Sequence, residues 1–126
     1  MAEFSNYMED KIIEVMRATT FTAAAAYVAL YTSDPTDADT GTEVSGGAYA
    51  RQLAGLSIAS GGISSNAADI TFPTATAAWG TITHIGLRDA VTAGNLLMHS
   101  PLDASKTIGI GDTFKLNAGD VDVTVA

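Results

Sequence analysis

The 126-residue sequence contains no cysteine, so it can build neither a disulfide framework nor a thiolate metal centre. Cations are scarce as well: six Lys and Arg stand against fourteen Asp and Glu, a formal net charge of −8. Binding to a phosphate backbone depends on clustered positive charge, so nucleic acid and anionic membranes are excluded as expected partners. No apolar run is long enough to cross a bilayer. The longest, residues 21–31, is about half of what a spanning helix needs. Glu3 stands where a secretory signal would carry Lys or Arg, so the chain reads as soluble and unexported. Proline occurs three times and tryptophan once, which makes Pro73 and Trp79 conspicuous in one short stretch.

What is present points to β structure. A chain of this length is expected to form a single domain, 1–126, since domains typically run about 100–150 residues. Thr, Ala, Gly, Ser and Val dominate, which suits short strands joined by tight turns. Trp79, joined to the small residues Ala77, Ala78 and Gly80, reads as an anchor between strands at 69–72 and 81–89. A buried Trp or Phe removes on the order of 150–250 Å² from water, so Trp79 and Phe72 are candidates either for the core or for an interface. In 81–89, Thr83, Ile85 and Leu87 alternate with His84, Gly86 and Arg88, the period of a half-buried strand. A turn at 91–95, with Gly94-Asn95 at its tip, leads to a return strand at 96–102. Residues 27–32 read as a central strand covered on both faces. Further strands are expected at 49–58, closed by the turn at 59–62, and at 106–110, 113–117 and 121–125, separated by Gly-Asp turns. The fold class is mainly β: an antiparallel β-sandwich or jelly-roll-like domain over 26–126.

One helix precedes it. Asn6 and Glu9 have the spacing of a capping box, and Met8, Ile12, Val15, Met16 and Thr19 follow a helical stripe, which predicts an amphipathic helix over 6–19. A helix so short is marginal alone. Its stripe, with Met8, Ile12 and Met16 as candidate interface residues, must pack on the chain's own sheet or on another subunit.

No catalytic constellation stands out. His84 and His99 fall on hairpin neighbours, but two histidines without a third ligand define no zinc site, and no Ser or Cys stands in a nucleophile motif. Neither a catalytic residue, a metal nor a cofactor is expected. Asp34, Asp37, Asp39 and Glu43 invite a calcium reading, yet their spacing does not match an EF-hand loop, and a solvated surface loop is expected. Gly46-Gly47 and Gly61-Gly62 lack the Lys and Ser/Thr of a phosphate loop and read as turns. Arg51 and Arg88 interrupt neutral strands and are candidates for bidentate carboxylate pairs, at an interface or within the chain.

The segments YVALYTSDPTDADTGTEVSGGAYARQ (27–52), SGGISSNAADITFPTATAAWGTITHIGLRDA (60–90) and GNLLMHSPLDASKTIGIGDTF (94–114), with the opening NYMEDKIIEVMRATTFT, resemble a family of small virion proteins of tailed bacteriophages, labelled tail-fibre, minor structural or head-decoration proteins. Residues 1–4 are less typical of it. The resemblance implies a non-enzymatic virion component, made in the host cytoplasm, whose partners are other virion proteins. Two placements follow from it. The first is head decoration: a cement protein bound to the major capsid protein and stabilising capsomer contacts, with a trimer at a threefold axis as one arrangement. The alternative is a tail-tip or tail-fibre component engaged in host recognition through its loops.

Overall fold

The computed structural model describes residues 3–125; Met1, Ala2 and Ala126, and with them half of the atypical opening, lie outside the described residues. Strand β1 (Glu3–Phe4) is followed by helix α1 (Asn6–Met16), then β2 (Tyr27–Tyr31), β3 (Gln52–Leu53), β4 (Ile63–Ser65), β5 (Ile70–Thr71), β6 (Gly80–Arg88), β7 (Leu96–Ile108), β8 (Lys115–Leu116) and β9 (Asp122–Thr124). Five of these form one antiparallel sheet in the order β1-β7-β6-β2-β3. The other four make two-stranded ribbons, β4 with β9 and β5 with β8. The protein is therefore mainly β and antiparallel with one helix near its start, and the layer opposite the main sheet is built from short ribbons and loops.

Strand β2 is buried on both faces, as its unbroken apolar run requires. Val28 and Leu30 enter the main core, while Ala29 and Tyr31 enter a smaller cluster with Leu96 on the reverse face. The main core joins Leu87, Ile82, Met98 and Ile108 from the sheet to Ile70, Phe72, Phe114, Leu116 and Val121 from the ribbon side. Four aromatic rings run through it. Trp79 meets Tyr49 edge-on at 5.5 Å, Tyr49 stacks on Phe72 at 6.2 Å, and Phe72 meets Phe114 edge-on at 5.6 Å.

The β6–β7 hairpin carries the sheet. Leu87 faces the main core and Ile85 packs against it, as alternation predicts, but Ile82 is buried there too. Pairing is irregular between Ile82 and His84, where the partner passes from Lys106 to Pro101, and this break in the alternation lets both sets face the same core. Strand β7 runs thirteen residues and absorbs the separate strand expected at 106–110. On the reverse face a Cβ at Gly86 would lie 2.9 Å from both Leu96 Cδ1 and Tyr31 Cε2, so only glycine lets those side chains close over the sheet.

Helix α1 ends at Met16 rather than at 19, and its cap is Ser5 rather than Asn6. The Ser5 hydroxyl accepts from the Met8 N–H at 3.2 Å and donates to the Leu96 carbonyl, so the same side chain caps the helix and ties it to β7. The far end closes with a Schellman arrangement: Thr19 N–H donates to Glu14 O and Ala18 N–H to Val15 O, with Ala18 at φ +64°. Docking on the chain's own sheet is only partial. No residue of α1 is buried; Met8 and Ile12 are half-buried, and Ile13, Val15 and Met16 are exposed.

Candidate functional site

The loop over residues 33–43 runs like a strap over the reverse face of the sheet; most of its residues are exposed, as the sequence suggested, while its carboxylates reach partners on the body. Its ends are held by backbone bonds, Thr32 N–H to Thr42 O at 3.0 Å and Val44 N–H to Leu30 O at 2.9 Å. Asp34 folds its first turn by accepting from the Thr36 N–H at 2.9 Å. The helix start is tied in as well, Asn6 N–H donating to Asp37 O at 2.8 Å.

Three strap carboxylates then meet cations or imidazole from the body. Arg88 Nη1 and Nη2 donate to the two Asp39 oxygens at 2.8 and 2.9 Å, and Nη1 also donates to the Tyr31 hydroxyl at 2.9 Å. Burial opposes the charged guanidinium, but the bonds to Asp39 and Tyr31 together outweigh it and hold the Arg88 pKa above the ordinary arginine value. Arg51 grips Glu43 through Nε to Oε1 and Nη2 to Oε2, both at 2.7 Å, and those bonds raise its pKa. The Tyr49 hydroxyl donates to Glu43 and accepts from the Leu30 N–H, each at 3.0 Å, while burial pushes its pKa well up. Both arginines also reach the β6–β7 turn: Arg51 Nη1 donates to the carbonyls of Ala90 and Ala93, and Arg88 Nη2 to that of Gly94. The turn is thereby pinned from two sides.

His99 lies under the same strap. Its Nε2 is 2.8 Å from Asp37 Oδ1 and 3.9 Å from Glu3 Oε2, and its Nδ1 is 3.8 Å from Asp34 Oδ1. His84 Nδ1 pairs with Thr83 Oγ1 at 2.8 Å, and its Nε2 lies 4.0 Å from Asp34 Oδ1.

The family model described as "Podophage GP4 fiber I protein gp80" matches residues 3–124. The chain belongs to this family. No curated protein matches the sequence. A member of this fibre family is a bacteriophage virion structural protein, so association with other virion proteins follows. The description agrees with the tail-fibre alternative more closely than with head decoration.

In this fibre-family chain the sequence-predicted residues divide into two groups. Trp79, 6% exposed, and Phe72, 1% exposed, are core side chains, and Trp79 Nε1 donates to Gly47 O at 2.9 Å. Arg51 and Arg88 spend their hydrogen bonds inside the chain. Trp79, Phe72 and Arg88 are buried and Arg51 is half-buried, which leaves little of these four for a partner. Met8, Ile12 and Met16 lie on helix α1, none of whose residues is buried. The strap partners Asp39, Glu43, Tyr31 and Tyr49 were missed. The available signal was four carboxylates in ten residues of a chain whose two strand arginines had no other evident partner.

Proposed function

We propose that the protein is the β body of a tail-fibre component, non-enzymatic, and that helix α1 joins it to a neighbouring virion subunit. One observation carries this reading: α1 has no buried residue, and Met16 is 75% exposed, with Ile13 and Val15 each 52% exposed. An eleven-residue helix is too short to be stable in water on its own account. Covering a Val, Ile or Met side chain gains about 1.5–3 kcal/mol, so a subunit seated on this stretch supplies what the body does not. The exposed segment after it, residues 17–20, adds further reach. The fibre description supports a tail position, and the strap, drawn down by its arginines, supports a rigid body as opposed to a mobile recognition loop.

The test is a double substitution, Ile13→Glu with Met16→Glu, placed in the phage and in the isolated protein. The isolated variant is expected to keep its β circular dichroism and melting temperature, while purified particles lose the protein. Wild-type particles are expected to carry a few copies or a few tens, at the tail, by gel densitometry and electron microscopy. Hundreds of copies over the head would sink the fibre reading and restore decoration, and full incorporation of the double variant would sink the role of α1.

A further inference from the structure

Three elements distant in sequence bring one nitrogen and two oxygen ligands together. Glu3 from β1, Asp37 from the strap and His99 from β7 place one ligand atom each within 4.8 Å of one another. We propose that these three residues form a binding site for a transition-series dication of the zinc class.

The geometry is close to what such an ion requires. Bonds of about 2.0–2.2 Å in tetrahedral arrangement separate ligand atoms by about 3.4 Å. His99 Nε2 lies 2.8 Å from Asp37 Oδ1 and 3.9 Å from Glu3 Oε2, so an ion needs one carboxylate to move out and the other in by roughly half an ångström. Both carboxylates are exposed and can make that adjustment, while the imidazole is 6% exposed and held in place. On the far side of the ring, Nδ1 is 3.8 Å from Asp34 Oδ1, too long for a hydrogen bond, so Asp34 adds negative charge near the site without holding the imidazole.

Charge gives a second reason. Three carboxylates, Glu3, Asp34 and Asp37, surround one imidazole. A neutral ring donates a single N–H, and even a protonated ring carries one positive charge, so negative charge is in excess around it in a chain already at −8. A dication at Nε2 offsets two of the three carboxylate charges. A protonated ring gives up its Nε2 proton to solvent as the ion binds, and a neutral ring carries its one proton on Nδ1. The imidazole nitrogen and the small ligand number select against Ca2+ and Mg2+, which take six or more oxygens. Occupancy would fasten β1 and the strap to β7, next to the start of α1.

The test uses tag-free full-length protein stripped with chelator and titrated with ZnCl2, CaCl2 and MgCl2 by calorimetry, with thermal melts in parallel. One Zn2+ per chain and a rise in melting temperature are expected with zinc alone. Glu3→Gln and Asp37→Asn change exposed side chains and should leave the metal-free fold intact while weakening zinc by about tenfold or more; His99→Asn should abolish binding. Absence of saturable zinc binding by the folded protein overturns the proposal. So does zinc affinity unchanged in Glu3→Gln and Asp37→Asn, or equal binding of calcium or magnesium.

Discussion

At the scale of single residues, Trp79 shows how one side chain is fixed by both ends. Its ring packs against Tyr49, and its indole N–H reaches the carbonyl of Gly47, where φ is +57° and a Cβ would sit 2.9 Å from Nε1. The loop and the ring therefore require each other. Replacing Trp79 with Phe keeps most of the apolar contact and leaves the Gly47 carbonyl with the Thr76 N–H as its one donor, an expected loss of about 0.5–1.5 kcal/mol. Trp79→Ala should cost about 3–5 kcal/mol by cavity formation. Urea denaturation reads both, and an alanine variant as stable as wild type would show that the ring is not core. Arg88 makes a parallel case. Asp39→Ala leaves a guanidinium, buried at 8% exposure, with Tyr31 and backbone carbonyls but no counter-ion. Breaking a buried pair costs about 3–5 kcal/mol, and because Asp39 is itself about a third exposed the lower end, about 3 kcal/mol, is expected. Asp39→Asn, which retains one acceptor, should lose less.

At the scale of elements, the parts that follow local rules were legible and the parts made by long-range closure were not. The β6–β7 hairpin could be read because alternation over residues 83–88 and Gly94-Asn95 in the turn agree with each other. Strand β2 could be read from its double-sided apolar run. The stretch 49–58 could not: only Gln52–Leu53 is paired as a strand, because Tyr49 is drawn inward to the aromatic chain and Gly55 takes φ +60°. The strap is the exposed loop that the sequence suggests, but its anchoring could not be read, because its partners lie 8 to 62 residues away, beyond what spacing can show. Helix α1 was misjudged at its C-terminus for a related reason. The periodic pattern continues to Thr19, but Ala18 adopts the left-handed conformation that closes the helix, a position where glycine is the usual occupant. Ala18→Gly is therefore expected to strengthen the cap by about 0.5–1 kcal/mol. Hydrogen exchange of the amides of Arg17, Ala18 and Thr19 should slow a few-fold; unchanged or faster exchange would rule out the left-handed cap.

At the scale of the whole molecule, an acidic chain with few cations has a stability that depends on pH through a small number of fixed carboxylates. Asp69 Oδ1 accepts from the Ala118 N–H at 2.9 Å and Oδ2 pairs with Lys115 Nζ at 3.1 Å, and these contacts hold its pKa below the ordinary carboxylate value. For Asp89 burial acts in the opposite direction, but bonds from the Asn95 backbone N–H and side-chain amide outweigh it and the net shift is again downward. A carboxyl whose folded pKa is depressed binds its proton more readily in the unfolded chain. Its stabilising contribution is thus fully present above the unfolded value, about 3.9, and is lost as pH falls through the lower folded value. Net self-repulsion at −8 works the other way between pH 7 and 5, where partial protonation relieves it. The expected melting-temperature profile is therefore flat or slightly rising from pH 7 to about 5, then falling below about 4. Asp69→Asn with Asp89→Asn should lower stability at pH 7 and flatten the acid limb, because the groups that generate it are gone. If the double variant keeps the wild-type acid slope, other carboxylates set the limit, and the ion pairs of the strap become the next place to look.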